Sequence, residues 1–134
     1  MQTTYEQLIK AAKEAYDHAY APYSKFHVGA AIMTKKGEIF TGANIENASY
    51  GLTNCAERSA LYTAYSKGYR KDDFEAIAII ANCDRPISPC GACRQVMSEL
   101  LPAQTPVILT NLAGEIKQVT LNELLPYTFT SEDL

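Results

Sequence analysis

Three cysteines in two short segments are the residues most able to do chemistry. Cys55 begins the segment Cys-Ala-Glu-Arg, and Cys90 and Cys93 belong to the segment Pro-Cys-Gly-Ala-Cys. Because Cys90 and Cys93 are three positions apart, the first turn of a helix would direct both sulfurs to one point, where Cys55 can supply a third. Structural zinc sites usually have four protein ligands, whereas catalytic sites keep one position open for water. The three thiols therefore predict a catalytic zinc site.

The two charged residues Glu57 and Arg58 are predicted to serve this site. Glu57 is two positions after Cys55, which in mid-helix would point it to nearly the opposite side. If the metal lies over the N-terminal end of the helix, first-turn side chains converge, and the carboxylate can reach a water held by zinc. Three thiolates would make that water less acidic, so Arg58 and the positive helix ends are expected to withdraw charge. The alternatives are a solvated Arg58 and a Glu57 that only complements the helix start.

The remaining cysteine and both histidines are weaker candidates for metal ligands. Cys83 stands seven residues before Cys90, outside the paired spacing. As a fourth ligand it would make the zinc site structural, and Glu57 would then have no catalytic role. His18 falls within the first predicted helix, and His27 alternates with the apolar residues of a predicted strand. Both histidines are predicted to be surface or packing residues.

Alternating helical and strand patterns around these segments predict an α/β domain. A capping box of Thr3 and Glu6 begins a helix that ends near residue 20, and a hairpin follows over residues 26–32 and 39–43. Next come a helix over 54–67 with Asn54 as N-cap, a buried strand over 76–81, and a helix that opens at Pro89 and ends near residue 101. Strand 106–110 completes a βαβ unit, and a short strand over 115–119 precedes a last helix capped by Thr120. Both cysteine segments thus fall at predicted helix starts.

Size, composition and charge exclude several classes of protein. The 134 residues fit one domain, 1–134, and 47% hydrophobic with 20% charged residues is a balance typical of a soluble globular protein. No apolar run approaches the roughly 20 residues that cross a bilayer, and no export signal is recognised, so a cytoplasmic protein without a membrane partner is predicted. The net charge of −3 argues against a polynucleotide partner.

The combination of Cys-Ala-Glu with Pro-Cys-Gly-Ala-Cys resembles the zinc nucleoside and nucleobase deaminases, whose usual signature has histidine where Cys55 stands. With the stretches NIENASYG, CAERSAL and APYSKFHVGAA, the chain resembles the small homotetrameric cytidine deaminases with three cysteines, over nearly its whole length. The resemblance implies a three-layer α/β/α fold with a central mixed five-stranded sheet, one Zn²⁺ per subunit and a homotetramer. It also implies hydrolysis of cytidine and deoxycytidine to uridine and deoxyuridine plus ammonia, in pyrimidine salvage.

The same resemblance implies roles for individual residues of the metal centre. Cys55, Cys90 and Cys93 would hold zinc. Glu57 would take a proton from the water, deliver it to N3 of the pyrimidine ring, and then assist the departure of ammonia from C4.

The resemblance further implies a set of substrate-binding residues for a small nucleoside. Asn44 and Glu46 of the NIEN stretch would grip the sugar hydroxyls. Phe26 would pack near the pyrimidine, although its apolar pattern alone predicts a core residue. The backbone around Ala56 would recognise the edge of the base. Phe129 would reach the site of a neighbouring subunit, the alternative being a residue of a mobile chain end.

Three other functions remain as alternatives at this point. A binding module with a purely structural zinc site would use Cys83 as its fourth ligand. A deaminase of another aminopyrimidine nucleoside, such as blasticidin S, would share the cysteine arrangement, although the NIEN stretch favours a plain ribose. A deaminase that edits polynucleotides is disfavoured by the acidic charge balance and by the lack of basic, aromatic-rich loops.

Overall fold

The computed structural model describes residues 4–134. Within that range the helices and strands are α1 (Tyr5–Tyr16), β1 (Val28–Thr34), β2 (Ile39–Ala43), α2 (Ala56–Ser66), β3 (Phe74–Ala81), α3 (Gly91–Leu100), β4 (Pro106–Asn111), β5 (Ile116–Thr120) and α4 (Leu121–Leu124). Short 3-10 helices cover 50–52, 71–73 and 131–133. None of the helices between residues 4 and 134 combines the length and the apolar character that a membrane crossing requires.

The five strands join one mixed sheet in the order β2-β1-β3-β4-β5. β3 and β4 pair in parallel, and α3 connects them, whereas the other three pairings are antiparallel. The β1–β2 pair is the predicted hairpin, in which Gly29 faces Ala43 and Met33 faces Ile39. The predicted hairpin and βαβ unit are therefore confirmed. The carboxyl end of β3 leads into the loop that carries the second cysteine segment.

Helices cover both faces of this sheet and bury an apolar cluster on each. On one face Leu8 of α1 packs with Ile80 of β3. On the other face Leu61 of α2 and Met97 of α3 pack with Ile79. Side chains of β3 alternate between the two clusters, which is why its apolar run is continuous rather than interrupted by polar residues. The predicted three-layer arrangement is confirmed, and it puts α2 and α3, the two helices that follow the cysteine segments, on the same face.

The first helix begins and ends at other residues than the sequence pattern predicts. Thr3, the predicted cap, lies outside the described residues. Instead, the hydroxyl of Thr4 accepts from the backbone N–H of Gln7 at 3.2 Å, and the Gln7 side chain accepts from the backbone N–H of Thr4 at 2.8 Å. The helix ends at Tyr16 rather than near Tyr20, because the backbone N–H of Tyr20 instead donates to the carbonyl beyond the end of β2.

Cysteines cap the two helices at the site, which corrects two predicted boundaries. Asn54 is not the N-cap of α2, because its backbone is paired with Ile45 in an isolated bridge, and Cys55 takes the cap position. Pro89 is not part of α3 either, since that helix begins at Gly91 with Cys90 as its N-cap. Neither cysteine makes a side-chain capping hydrogen bond. Both sulfurs therefore stand at the N-terminal ends of helices.

Gly42 in β2 allows α2 to lie close against the sheet. A Cβ atom at this position would lie 2.5 Å from the backbone nitrogen of Ala60, 2.6 Å from the carbonyl oxygen of Ala56 and 2.8 Å from Cβ of Ser59. Atoms of a folded protein do not approach that closely, so a residue with a side chain would push α2 outward. This contact fixes the position of the start of α2, where Cys55 is the N-cap and Glu57 lies in the first turn.

Candidate active site

The structure brings the three predicted zinc ligands together. The Sγ atoms of Cys55, Cys90 and Cys93 all lie within 4.8 Å of one another, and those of Cys90 and Cys93 are 3.4 Å apart. Zinc bound tetrahedrally by sulfur has Zn–S distances of about 2.3 Å, which corresponds to S–S separations of about 3.8 Å. The observed spacing of the sulfurs therefore fits a zinc ion after only small movements.

Cys83 and the histidines take no part in this cluster. Over residues 4–134, the one group of His, Cys, Asp or Glu side chains with metal-binding spacing contains the three cysteines alone. The carbonyl oxygen of Cys83 accepts from the Asn111 side chain at 3.1 Å, and the ring of His27 packs on Tyr16 with centroids 5.7 Å apart. A site with three protein ligands leaves a coordination position for water, as catalytic zinc sites do.

Arg58 contacts the cluster and compensates part of its negative charge. Its Nη2 donates to Sγ of Cys55 at 3.2 Å. Hydrogen bonds from Cys93 and Arg58 lower the pKa of Cys55 to about 5, so Cys55 is a thiolate at neutral pH. The hydrogen bond to Cys55 in turn raises the pKa of Arg58. The Nε atom of Arg58 is buried and has no hydrogen-bond partner within residues 4–134, while the hydrogen bond of Nη2 to Cys55 directs the guanidinium to the cluster.

Glu57 is a buried carboxyl group beside the thiols. Its side chain is 4% exposed, yet it lines the same cavity as Cys55 and Cys90. Burial raises the pKa of Glu57 above its ordinary value, and hydrogen bonds from its own backbone and from Cys93 oppose that shift. Because Cys55 is the N-cap and Glu57 lies in the first turn, the two side chains share one cavity although they are two positions apart. A carboxyl whose protonated form is favoured in this way is suited to accepting and returning a proton.

A cavity of about 290 Å³ opens beside the cluster. This volume is at the lower end of the range for small-molecule sites and suits one compact ligand. A larger hollow of about 390 Å³ lies elsewhere, between Lys35 and Tyr69, and holds none of the candidate residues. The lining of the smaller cavity includes Ser24, Phe26, Asn44, Glu46, Tyr50, Asn54, Cys55, Ala56, Glu57, Ser88 and Cys90. The residues predicted to bind substrate thus meet there, with the exception of Phe129.

Asn44 fixes the chain that enters β1. Its Oδ1 accepts from the backbone N–H of Val28 at 2.9 Å, and its Nδ2 donates to the carbonyl oxygen of Phe26 at 2.8 Å. Phe26 therefore lies in a loop before β1, 39% exposed, rather than in the strand and core that its alternating pattern predicts. The amide of Asn44 holds this loop so that Phe26 lines the cavity.

Glu46 holds the same loop from its other side. One of its oxygens accepts from the backbone N–H groups of Tyr23 at 3.0 Å and Ser24 at 3.1 Å, and the other accepts from the Ser24 hydroxyl. The hydrogen bond from Ser24 is the main reason that the pKa of Glu46 is lowered, so the carboxylate is ionised. Sequence reasoning overlooked Ser24, because its partner is 22 residues away and no local pattern connects the two.

Phe129 lies away from the cavity of its own chain. Its side chain is 57% exposed, and its carbonyl oxygen accepts from Nε2 of Gln95 at 3.0 Å. The hydrogen bond ties the C-terminal segment to α3. Within a single chain Phe129 therefore cannot pack on a ligand in the cavity.

Comparison with known proteins gives the family. Residues 2–109 match the family described as the cytidine and deoxycytidylate deaminase zinc-binding region. The chain belongs to this family. A cytidine deaminase from Halalkalibacterium halodurans is 60% identical over 129 residues, which are 96% of each chain. A crystal structure of cytidine deaminase from Burkholderia pseudomallei superposes with a TM-score of 0.92 at 53% identity, covering 95% of this chain and all of that one.

The comparisons also bear on the identity of the metal and on one of the alternative substrates. The match to a zinc-binding family and the three-sulfur cluster together identify zinc as the cofactor. A blasticidin-S deaminase from Bacillus cereus is 36% identical over 132 residues, 92% of this chain and 91% of that one. One relative of this chain is therefore named for blasticidin S, the alternative substrate considered from the sequence. The predicted family and fold are confirmed.

Proposed function

We propose that this protein hydrolyses cytidine and deoxycytidine to uridine and deoxyuridine with release of ammonia. The observation that carries the proposal is one cavity of about 290 Å³ that contains both the sulfur cluster and the buried Glu57. Relatives of closely similar length and sequence bear the name cytidine deaminase, which supports the same substrate.

In this proposal Cys55, Cys90 and Cys93 hold the zinc ion. Zinc held there would lower the pKa of a water molecule and so supply a nucleophile at neutral pH. Arg58 draws charge from the Cys55 thiolate through its 3.2 Å hydrogen bond. The N-terminal ends of α2 and α3 add positive potential at the sulfurs, because the backbone N–H groups of a first turn are not used within the helix.

Glu57 is the proton carrier of the reaction. The carboxylate accepts a proton from the attacking water and delivers it to N3 of the ring, which makes C4 electrophilic. A C4–O bond forms, the second water proton moves by way of the same carboxylate to the amino group, and the C4–N bond breaks to release ammonia. One water is consumed and Glu57 returns to its starting state. Its raised pKa favours this exchange, because burial stabilises the protonated form.

The remaining cavity residues bind and orient the nucleoside. Ionised Glu46 can only accept hydrogen bonds, so it suits a sugar hydroxyl as donor, and Asn44 lies beside it in the cavity lining. Phe26 provides an apolar surface for the pyrimidine, and the backbone at Ala56 contacts its polar edge. Phe129 comes from a neighbouring subunit of a homotetramer, a placement supported by its exposure and by its absence from the cavity of its own chain.

We further propose a single catalytic domain, 1–134, that acts in cytoplasmic pyrimidine salvage on free nucleosides. Tyr50 and Leu52, which are 85% and 70% exposed close to the cavity, support association of subunits at this side of the molecule. Light scattering after gel filtration tests the tetramer: a monomer at micromolar concentration would contradict it and would leave Phe129 without a role.

A nucleoside panel tests the proposed reaction. Purified zinc-loaded protein is incubated with cytidine, deoxycytidine, cytosine, adenosine, blasticidin S and a cytosine oligonucleotide, and ammonia release is measured. We expect release from cytidine and deoxycytidine alone. Release from blasticidin S in preference to cytidine would support the rival nucleoside, whereas release from no compound, with zinc bound, would overturn the proposal and support a structural metal site.

A further inference from the structure

Arg94 uses all three of its side-chain nitrogens to hold backbone and hydroxyl groups around the metal centre. It directly follows Cys93 in α3. Its Nε donates to the carbonyl oxygen of Pro89 at 2.8 Å, its Nη2 to the hydroxyl of Ser88 at 2.5 Å, and its Nη1 to the carbonyl oxygen of Leu124 at 2.7 Å. Within residues 4–134 the structure shows no carboxylate paired with Arg94. All three side-chain nitrogens of Arg94 therefore donate to neutral acceptors. Two of these acceptors belong to Ser88 and Pro89, which immediately precede Cys90.

Cys90 is the sulfur whose position most needs such support. Among the three clustered cysteines, Cys93 is buried and Cys55 is half-buried, but Cys90 is exposed. It follows a segment, 82–89, without helix or strand. Packing therefore does little to hold Cys90, and its position depends on the path of the backbone just before it. That backbone is the part that Arg94 holds.

Arg94 also joins this segment to the C-terminal part of the chain. Leu124, whose carbonyl accepts from Nη1, is the last residue of α4, and the segment beyond it carries Phe129. The next residue of α3, Gln95, binds the carbonyl oxygen of Phe129. Two adjacent side chains of α3 thus connect the metal-binding loop with the end of the chain.

We propose that Arg94 is a positioning residue of the metal centre, which sets the place of Cys90 relative to the other two sulfurs by holding Ser88 and Pro89. The inference rests on the proposed zinc-dependent deamination. Arg94 neither lines the cavity nor belongs to the sulfur cluster, and its side chain acts through Ser88 and Pro89. Its loss should therefore loosen one of three zinc ligands rather than alter the binding of the sugar.

The test measures how fast zinc leaves the protein. Wild type, Arg94→Gln, Ser88→Ala and the double variant are mixed with excess 4-(2-pyridylazo)resorcinol, and zinc release is followed by absorbance. Changes to residues that orient metal ligands typically weaken metal affinity about 10- to 100-fold, so we expect Arg94→Gln to release zinc about tenfold faster. Ser88→Ala should also accelerate release, but by less than about tenfold, since it removes only one of the two contacts near Cys90. The double variant should release no faster than Arg94→Gln, because the Ser88 hydroxyl acts through Arg94.

Arg70 provides a matched control. Its Nη1 also donates to two main-chain carbonyl oxygens, those of Tyr65 at 3.0 Å and Tyr69 at 2.7 Å, but it does not line the cavity. Arg70→Gln should lower Tm without changing the rate of zinc release. Steady-state kinetics supply a second readout: Arg94→Gln should lower kcat more than it changes KM for cytidine, because Asn44 and Glu46 bind the loop before β1 and not Arg94.

Several results would overturn the positioning role. One is a zinc release rate for Arg94→Gln within twofold of wild type. A second is an Arg70→Gln protein that releases zinc as fast as Arg94→Gln. A third is a double variant whose increase in release rate is the product of the increases in the two single variants. If Arg94→Gln does not fold, the test rests on Ser88→Ala. A zinc release rate for Ser88→Ala equal to that of wild type would then count against the positioning role. Wild-type protein that releases no ammonia from cytidine would instead contradict the proposed function, so the two failures are distinguishable.

Discussion

Replacing Gly42 by alanine should separate the stability of the fold from the geometry of the site. The added Cβ atom would lie 2.5 Å from the backbone nitrogen of Ala60, whereas ordinary van der Waals contact begins at 3.4 Å. The difference, 3.4 − 2.5 = 0.9 Å, is the distance by which α2 must retreat from β2 if the strand stays in place. Because the contacting atoms are backbone atoms of the helix, no side-chain rotation can relieve the clash.

This displacement should cost both stability and activity. Extra atoms forced into a well-packed region typically cost about 1–3 kcal/mol of folding free energy. The same movement carries Cys55 and Glu57, which stand at the start of α2, away from Cys90 and Cys93 on α3. Misplacement of reacting groups by about 1 Å can lower a rate about 100-fold. We therefore expect Gly42→Ala to remain folded at 25 °C, and to lose about 100-fold in kcat/KM for cytidine.

Urea unfolding and steady-state deamination measure the two effects, and Leu8→Ala is the control. Leu8 is fully buried against the opposite face of the sheet, and its truncation should cost about 2–5 kcal/mol without moving α2. A folded Leu8→Ala protein should thus be at least as destabilised as Gly42→Ala yet nearly as active as wild type. The reasoning is refuted if Gly42→Ala keeps wild-type kcat/KM, or if both variants lose activity in proportion to their stability.

Three further predictions concern single side chains of the site. Glu57→Gln should retain zinc and lose about 10²- to 10⁴-fold in kcat, because no proton carrier remains. Substitution of the exposed Glu99 by glutamine serves as the control. Near-normal turnover by Glu57→Gln would exclude the proton-carrier role. Arg58→Gln should stay folded and zinc-loaded, with activity about tenfold lower at neutral pH. Its pH–rate profile should move to higher pH, because the Cys55 thiolate becomes more electron-rich without the hydrogen bond from Arg58. An unchanged pH–rate profile would count against charge withdrawal by Arg58. The pKa of Glu46 is lowered by its hydrogen bond from Ser24, so its ionised form stabilises the fold above its unfolded pKa of about 4.3, and this stability is lost as the pH falls through the lower folded-state pKa. The Tm of wild type should therefore fall more steeply than that of Glu46→Gln between about pH 5 and pH 3, and parallel curves would contradict this assignment.

Features that depend on local pattern were predictable from the sequence. The continuous apolar run of β3 indicated a strand buried on both faces, and the spacing of Cys90 and Cys93 indicated two sulfurs in one helical turn. The start of α2 was not predictable to the residue, because Asn54 is drawn into a bridge with Ile45, nine residues earlier in the chain. A local capping rule cannot detect such competition.

Contacts between distant residues were the part that the sequence did not reveal. The segments with Asn44 and Glu46 were identified through resemblance, but their hydrogen bonds to the loop before β1 join residues 16 to 23 positions apart. Arg94 attracted no attention from sequence reasoning, because no local pattern predicts that one side chain donates to Ser88 and Pro89, six and five residues earlier, and to Leu124, 30 residues later. Its only local signal is its place directly after Cys93. Such roles follow from the packing of the sheet and its helices, which composition and periodicity do not specify.

In the proposed function Asn44 and Glu46 bind the sugar and also hold a loop, and this double role limits how selectivity for the sugar can evolve. Both side chains already use hydrogen bonds to shape the loop that presents Phe26. A mutation that adapts either residue to another carbohydrate would also remove hydrogen bonds from this loop. Phe26 would then lose its fixed position in the cavity lining. New specificity is therefore more accessible through lining residues that do not hydrogen-bond to this loop, and protein engineers would do well to begin there.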